Sequence, residues 1–396
     1  MCIRDSARVT GRPGVCFATS GPGVCNMVTG IATANMDSIP LVIISGQVAT
    51  PLIGRDSFQE ADISGITTPI TKHNYLVKDA KELPRVLKEA FYIASTGRPG
   101  PVLVDIAKDV FDTSFDFEYP EEVHLRGYKG NPEGCEDDVA RAVQALAKAK
   151  RPVLLTGGGV VLSGMADTLR SIVQQLGVPV VTTLMGKGSI PDQWDCHLGM
   201  VGMHGSYAAN MAVTQCDLLL AVGARFDDRV TGDAANFAPQ AKIVHFDIDK
   251  VEINKIVHAD ISVNADLRWS LPHLCEGLKF DGQALYERYE DWRHSVLDMK
   301  AVHPFATRHL EGTISPQSLF EALQAVTDDD TVVVTDVGQH QMWSAQFFNL
   351  NKPRHFITSG GLGTMGYGLP AAMGAKIGCP QSTVVLFTGD GSIMMN

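Results

Sequence analysis

The strongest chemical signal in this 396-residue sequence is the run Gly389-Asp390-Gly391-Ser392, which follows a short apolar stretch. Glycines on both sides of an acid at the carboxyl end of a strand let the backbone approach a ligand closely. Such an aspartate can hold a hard cation, while the following N–H groups and the serine hydroxyl can reach phosphate oxygens. A plain Asp-Gly turn between a strand and a helix explains the same residues equally well.

Two further motifs precede this run. Residues 361–366 (Gly-Leu-Gly-Thr-Met-Gly) form a literal G-x-G-x-x-G. A dinucleotide site of this type needs an acid at the end of a second strand, about 20 residues further along the chain. The next acid here is Asp390, which lies in its own Gly-Asp-Gly turn. The match to a dinucleotide site is therefore weak. Residues 336–341 (Asp-Val-Gly-Gln-His-Gln) follow a strand, where α/β sites form. A packing-driven glycine turn and a helix N-terminal cap are the respective alternatives.

The middle of the chain carries glycines, arginines and carboxylates at three successive strand ends. They occur in residues 157–159 (Gly-Gly-Gly), 223–229 (Gly-Ala-Arg-Phe-Asp-Asp-Arg) and 246–249 (Phe-Asp-Ile-Asp). Backbone N–H groups and arginine suit the phosphates of a dinucleotide, and aspartate suits its ribose hydroxyls. A surface ion-pair cluster of Arg225 and Arg229 with the neighbouring aspartates is the alternative.

The first third of the chain holds weaker signals. Residues 20–23 (Ser-Gly-Pro-Gly) follow a strand, Gln59-Glu60 lies in a polar loop, residues 98–101 lead into a strand, and Lys108 follows that strand. Taken alone, these residues indicate turns and exposed charges.

The elements that must position these residues are short, continuously apolar runs separated by helical stretches. Continuous rather than alternating hydrophobicity is typical of strands buried on both faces of a parallel sheet. Helical periodicity over 137–150 and 166–176 between such runs predicts an α/β fold of doubly wound sheets. The predicted strands are 15–19, 41–45, 101–106, 152–156, 179–183, 218–223, 242–249, 331–336 and 383–388.

Two segments interrupt this rhythm and are predicted to be linkers, 116–134 and 271–309. The first is acidic and turn-rich, and the second is charged, with a helical piece over 286–299. They predict three α/β units over 1–115, 135–270 and 310–396. The first and third are short for complete doubly wound domains, so we expect a chain truncated at both ends.

The composition excludes several classes of protein. Hydrophobic residues make up 45% and charged residues 19%, which predicts a sizeable core rather than disorder. A net charge of −11 argues against nucleic-acid binding. The eight cysteines form no C-x-x-C pair and are expected to be small buried thiols. Without an apolar run of about 18 residues or a signal-peptide pattern, we expect no membrane span and a cytoplasmic location.

Taken in order, these motifs resemble the catalytic large subunit of the FAD-containing acetohydroxyacid synthase (acetolactate synthase) family. The resemblance covers nearly the whole chain from about Ala7. It implies pyrimidine-binding, FAD-binding and diphosphate-binding domains, with thiamine diphosphate, Mg2+ and FAD as cofactors. The implied reaction is the decarboxylating condensation of pyruvate with a second 2-oxo acid to acetolactate or acetohydroxybutyrate, a transferase step of branched-chain amino-acid synthesis.

The resemblance also implies roles for individual residues. Asp390 is implied as a Mg2+ ligand. The residues implied at thiamine diphosphate are Pro22, Asn26, Gln339, His340, Gly363, Met365, Gly391 and Ser392. The reaction channel is implied to contain Phe58, Gln59 and Lys108. The residues implied at FAD are Arg98, Gly158, His204, Gly205, Gly223, Arg225, Asp227, Arg229, Asp247, Ile248 and Asp249.

The implied partners are a second copy of the chain, in a homodimer or homotetramer whose active sites are shared between subunits, and a small regulatory subunit. The family's activating glutamate would precede Met1, and the Asn that completes its Mg2+ site would follow Asn396. Residues 1–6 do not fit the family's helix before Ala7, which indicates a mis-joined start. We therefore expect little activity from this chain alone. The alternatives are a non-catalytic FAD-binding fragment and another thiamine-dependent carboligase, such as glyoxylate carboligase.

Overall fold

The computed structural model describes residues 2–305 and 311–395, and it confirms the α/β fold with parallel sheets. All nine predicted strands are present, and the strand pairs with a described register are parallel. The strands are β1 (Gly14–Ala18), β2 (Leu41–Gln47), β3 (His73–Val77), β4 (Pro101–Ala107), β5 (Pro152–Thr156), β6 (Val180–Thr182), β7 (His197–Met200), β8 (Leu218–Val222), β9 (Lys242–Asp247), β10 (Ile261–Asn264), β11 (Val332–Thr335), β12 (Phe356–Ile357) and β13 (Val384–Phe387).

Helices connect most of these strands, as parallel pairing requires. They are α1 (Cys2–Thr10), α2 (Pro22–Cys25), α3 (Val28–Met36), α4 (Ile63–Thr67), α5 (Leu83–Ser95), α6 (Lys108–Phe111), α7 (Glu136–Lys148), α8 (Gly158–Ser163), α9 (Ala166–Leu176), α10 (Tyr207–Gln215), α11 (Asp228–Thr231), α12 (Leu267–Leu278), α13 (Gly282–Arg288), α14 (Glu290–Val302), α15 (Pro316–Gln324), α16 (Gln339–Phe347), α17 (Gly368–Gly378) and α18 (Asp390–Ile393). Short 3-10 turns occur at Thr50–Leu52, Thr68–Ile70, Ala80–Glu82, Leu184–Gly186 and Ala234–Asn236.

The chain forms two compact units. The first comprises Met1–Gly130, Val332–Val337 and Ile357–Asn396, and the second comprises Asn131–Thr331 and Gly338–Phe356. The division into domains at 1–115, 135–270 and 310–396 stays a prediction, and the boundary at 309–310 falls outside the described residues.

The first unit contains a four-stranded sheet in the order β1-β2-β4-β3 and the paired strands β11 and β13. Its central strands β2 and β4 are buried almost throughout because both are continuously apolar. Helix α17 packs on β11 and β13, and α1 packs on α17. Tyr367 donates a hydrogen bond to Asp5 across this contact (2.5 Å), and Arg8 pairs with Asp5 (3.2 Å) and with Asp37.

The second unit is a doubly wound sheet in the order β10-β9-β8-β5-β6-β7. Alternate residues of its central strands belong to separate hydrophobic clusters, with Leu154 and Leu220 in one and Val153 and Leu219 in the other. The strand order reverses between β5 and β8. In parallel α/β sheets this reversal opens a crevice at the carboxyl ends, where ligands bind.

The segment 271–309, which we predicted to be a linker, is largely helical within its described residues, since it holds the end of α12 and all of α13 and α14. Leu271, Leu274 and Leu278 are fully buried in the core of the second unit, as are Tyr289 and Val296. The helix predicted over 286–299 is divided between α13 and α14. The abundance of charged residues concealed an apolar face at helical spacing.

The cysteines differ from expectation. All eight are free thiols, but only Cys16 and Cys216 are buried, and Cys135 is exposed. Burial raises the pKa of the Cys16 thiol to about 11, so this thiol stays protonated and unreactive at neutral pH. Among residues 2–305 and 311–395, no helix has the length and hydrophobicity to cross a membrane.

Asp105 is a buried acid in the middle of the first unit's sheet. Its side chain accepts hydrogen bonds from Ser45 Oγ (2.6 Å) and Gln47 Nε2 (3.0 Å) and is 1% exposed. The Gln47 amide also donates to the carbonyl of Ala61 (3.0 Å), so the acid helps to hold the segment that follows β2. Burial outweighs the two hydrogen bonds and raises the pKa of Asp105 to about 6.

This raised pKa predicts a pH-dependent stability. The folded chain binds a proton at Asp105 more tightly than the unfolded chain, whose aspartates titrate near 3.9. Stability is therefore favoured below about pH 4 and falls as the pH rises through 6, by up to about 3 kcal/mol. The variant Asp105→Asn should lack this dependence. Urea unfolding followed by far-UV circular dichroism from pH 4 to 7.5 measures the difference, and parallel curves for the two proteins would contradict it.

Candidate functional site

The turn after β1 packs directly on a loop that follows β2, within the first unit. Gly21 has φ +61°, and a Cβ placed on it would lie 2.6 Å from the carbonyl oxygen of Gln59. Gln59 has φ +59°, a conformation that costs a non-glycine residue about 1–3 kcal/mol and that clusters at functional sites. Its neighbour Phe58 is 88% exposed. Pro22, which begins α2, therefore lies close to the predicted channel residues.

Two carboxylates stabilise this loop by accepting hydrogen bonds from it. Asp109 accepts hydrogen bonds from the N–H (2.9 Å) and hydroxyl (3.1 Å) of Thr50, and Glu60 accepts from the N–H groups of Ser57 (2.9 Å) and Gly54. These backbone donors lower the pKa of both acids. Lys108, next to Asp109, is exposed and has no partner among the described residues. Its ammonium is thus available to an anionic ligand.

The predicted diphosphate residues of the first unit lie in two adjoining segments. Met365 lies in the glycine loop (residues 359–368) and is 44% exposed, and a Cβ on Gly391 would lie 3.9 Å from Met365 Cε. Asp390 is exposed and begins α18, directly after β13, and Ser392 is buried. No group of three His, Cys, Asp or Glu side chains within the described ranges could hold a metal ion. A cation at Asp390 therefore needs backbone, phosphate or water oxygens as further ligands, which suits Mg2+.

Gln339 and His340 belong to the second unit, where they form the first turn of α16. This helix is fixed further along, because Gln346 Nε2 donates to the carbonyl of His204 (3.0 Å) and Asp192 accepts from the N–H of Leu350 (2.8 Å). The segment 336–341 contains the N-terminus of α16, as the cap alternative predicted, and the capping residue is Gly338.

Glycines meet where the strand order of the second unit reverses. A Cβ on Gly157 would lie 2.3 Å from the carbonyl oxygen of Gly223, and one on Gly159 would lie 2.7 Å from Gly223 Cα. Gly158 begins α8 directly beside this contact. Only glycine permits such close approach of two strand-end loops, and the arrangement leaves backbone N–H groups at the crevice.

A second glycine contact joins the loop after β7 to the loop after β8. A Cβ on Gly202 (φ +104°) would lie 2.1 Å from the carbonyl oxygen of Arg229. The predicted residues His204 and Gly205 follow in the same loop, and Asp227 caps α11 by accepting from the N–H of Arg229 (3.1 Å). The loops carrying these predicted FAD residues are therefore in contact.

The ion-pair alternative for this region accounts for only part of it. Arg229 forms one exposed pair with Asp228, at 3.6 Å. Arg225 is half-buried and has no ion pair or hydrogen bond to the part of the chain that the structure describes. A half-buried, uncompensated guanidinium at a strand end favours binding of an anion.

The end of β9 brings its carboxylates to the same edge of the sheet. Asp247 accepts from the N–H of Asp249 (2.8 Å) and lies 3.6 Å from His245 Nε2, while Asp249 accepts from the N–H of Val251 (3.0 Å). Ile248 lies between the two acids. Arg98 lies in the first unit, apart from the other predicted FAD residues in the sequence, and donates to Ser38 Oγ (2.8 Å).

Three family models match the chain in order. They describe the N-terminal binding domain of thiamine pyrophosphate enzymes (residues 5–66), the central domain (139–274) and the C-terminal binding domain (336–396). The acetolactate synthase isozyme 3 large subunit of Escherichia coli is 47% identical over 394 residues, which cover 98% of this chain and 68% of that protein.

The chain belongs to the acetolactate synthase large-subunit family. Its other relatives include an acetolactate synthase of Mycobacterium bovis, 49% identical, and the acetolactate synthase large subunit of Corynebacterium glutamicum, 48% identical. Both alignments cover 98% of this chain and, respectively, 63% and 62% of the relative. The chain thus spans somewhat less than two thirds of the length of the Mycobacterium bovis and Corynebacterium glutamicum proteins.

Sequence reasoning missed two buried acids of this family member, Asp37 and Asp105. Asp37 accepts from the N–H of Gly361 in the loop before α17, and Asp105 accepts from Ser45 Oγ and Gln47 Nε2 of β2. Asp336 lay in a candidate motif but had no predicted role; it is buried and accepts from the N–H of Gly366. Asp105 had a detectable signal, since an acid within a continuously apolar strand needs a partner.

Proposed function

We propose that this protein is an acetolactate synthase, which condenses pyruvate with a second 2-oxo acid and releases CO2. The observation that carries the proposal is the similarity to acetolactate synthases across all three thiamine-enzyme domain regions, in order. Thiamine diphosphate, when bound, supplies the nucleophile and the electron sink for decarboxylation.

The residues of the first unit are proposed to hold that cofactor and its substrate. Asp390 would bind Mg2+, and Gly391 and Ser392 would contact the diphosphate, with Met365 beside Gly391. Because the Lys108 ammonium is exposed and lacks a described partner, it would attract the carboxylate of the 2-oxo acid. The other residues of this unit proposed at these positions are Pro22, Asn26, Phe58, Gln59 and Gly363. On the family resemblance alone, Gln339 and His340 of the second unit are also proposed at thiamine diphosphate.

The second unit is proposed to bind FAD at the carboxyl edge of its sheet. Two features support this site: the glycine contact at the reversal point of the strand order, and the uncompensated Arg225. Arg225 would pair with the FAD diphosphate, and Asp247 and Asp249 would bind hydroxyl groups. The other residues of this unit proposed at FAD are Gly158, His204, Gly205, Gly223, Asp227, Arg229 and Ile248. On the family resemblance alone, Arg98 of the first unit is also proposed at FAD.

The variant Arg225→Gln should bind FAD about 10- to 100-fold more weakly, because a charge-assisted contact to phosphate is lost. Quenching of FAD fluorescence on titration with protein measures the affinity. Arg141→Gln is the matched control, since it removes the same charge from an exposed pair with Asp138. Equal affinities of both variants for FAD would contradict the placement of Arg225.

The activity is tested by incubating the purified protein with pyruvate, thiamine diphosphate, Mg2+ and FAD. Accumulation of acetolactate is expected for a synthase. FAD binding without turnover would favour the non-catalytic fragment, and condensation of glyoxylate in preference to pyruvate would favour another carboligase. Absence of both turnover and cofactor binding would refute the proposal for this chain.

The proposal extends to assembly. Sites shared between subunits require at least a homodimer, and the names of several relatives as large subunits motivate a small regulatory partner. Light scattering with and without both cofactors measures the oligomeric state. A monomer that turns pyruvate over would overturn the shared-site arrangement.

A further inference from the structure

The glycine loop of the first unit, residues 359–368, is anchored at regular intervals. Asp37 Oδ1 accepts from the N–H of Gly361 (2.7 Å), and Thr364 contacts the hydroxyls of Thr33 (2.9 Å) and Ser359 (3.0 Å). These three contacts are made by the side chains of Asp37, Thr33 and Ser359.

Asp336 holds the end of the same loop. Its side chain is fully buried at the end of β11 and accepts from the N–H groups of Gly366 (3.1 Å), Gly368 (2.8 Å) and Val337 (2.8 Å). Gly368 is also the first residue of α17, so the carboxylate lies at the positive end of that helix. One negative charge thus fixes the loop and the helix that follows it.

The residues proposed to contact thiamine diphosphate lie between anchored positions. Gly363 and Met365 are exposed, as is the anchored Gly361, whereas Gly366 and Gly368 are buried. Gly363 and Gly366 have φ of +66° and +79°, so the loop follows a backbone path that glycine adopts readily. The anchored residues therefore determine where the exposed residues lie.

We propose that Asp336 is a positioning residue, whose carboxylate presets the glycine loop so that Gly363 and Met365 are placed for thiamine diphosphate before the cofactor binds. Asp37 is the second anchor. This inference rests on the proposed function for the identity of the ligand, but the preset loop itself is a property of the cofactor-free protein. If only a fraction of the protein molecules have the loop ordered, the apparent affinity for the ligand is reduced by that fraction. Ordering the loop beforehand therefore raises the affinity.

The test compares Asp336→Asn with Thr335→Val. An asparagine side chain keeps the shape of aspartate but presents an NH2 group where one oxygen accepted, so at least one of the three N–H groups loses its partner. Thr335→Val removes a buried hydrogen bond to Thr358 Oγ1 (2.7 Å) from the adjacent position of the same strand and leaves the loop anchors intact. The control therefore reports what general destabilisation of β11 does.

Hydrogen exchange of residues 363–369, measured by mass spectrometry without cofactor, is expected to be about tenfold or more faster in Asp336→Asn than in Thr335→Val. Calorimetric titration with thiamine diphosphate and Mg2+ should then show about tenfold weaker binding for Asp336→Asn alone. Equal exchange in the two variants, or faster exchange with unchanged affinity, would overturn the positioning role. Failure of the unaltered protein to bind thiamine diphosphate would instead refute the proposed function, which the exchange measurement does not depend on.

Discussion

Replacing Asp390 with alanine is expected to weaken Mg2+-dependent binding of thiamine diphosphate by about 100-fold or more. Loss of a side chain that merely supports a metal ligand typically costs 10- to 100-fold in metal affinity, and Asp390 is proposed as the ligand itself. Among the described residues, no group of three or more His, Cys, Asp or Glu side chains could hold the ion in its place. Without the cation that Asp390 would hold, the negative charge of the diphosphate would no longer be neutralised.

Isothermal titration with thiamine diphosphate, in the presence of Mg2+ and again with EDTA, measures this effect. Asp112→Ala is the control, because it removes an exposed carboxylate from the same unit. In the unaltered protein EDTA should abolish most of the binding, and in Asp390→Ala it should change little. If Asp390→Ala retained Mg2+-dependent binding, the diphosphate would have to lie elsewhere.

The second large effect is expected from Gly223→Ala. Gly223 has φ +57°, and an added Cβ would lie 2.8 Å from Gly159 Cα, with backbone of Gly159 and Val160 at 3.0 Å. Backbone atoms cannot move aside as a flexible side chain can. Strain of about 1–2 kcal/mol from the left-handed conformation therefore adds to about 1–3 kcal/mol from overpacking.

Gly164→Ala separates these two contributions. Gly164, also in the second unit, has a left-handed conformation (φ +74°, ψ +18°), but no atom outside its chain neighbours lies within 4 Å of its added Cβ. It should cost only the conformational strain. All four tryptophans lie in the second unit, so tryptophan fluorescence during urea unfolding reports on that unit alone. Equal midpoints for Gly223→Ala and Gly164→Ala would show that the crevice is more open than the glycine contact indicates.

The sequence predicts the strands well where they are buried on both faces. Strands such as β2, β5 and β8 are continuously apolar, and every predicted strand of this kind is present. The strands that were not predicted are short or lie at the edge of a sheet. β3 pairs only with β4 and exposes much of its surface, so its composition lacks the apolar signal.

Whether a side chain's role can be predicted from the sequence depends on how far its partner lies along the chain. Asp227 caps the helix that follows it, a local contact that its spacing allows one to foresee. Asp336 was open to the same interpretation, but its partners Gly366 and Gly368 lie some 30 residues away in the chain and are brought near by pairing of β11 with β13. No local pattern encodes such a partner.

The discontinuity of the first unit has a consequence for synthesis on the ribosome. Helix α1 precedes the continuous segment Asn131–Thr331 of the second unit, whereas α17, on which α1 packs, follows that segment. Contacts between residues so far apart in the chain form late and slowly. The face of α1 that is buried in the folded unit, which carries Arg4, Asp5 and Arg8, therefore stays uncovered during synthesis until the whole of that segment has been made.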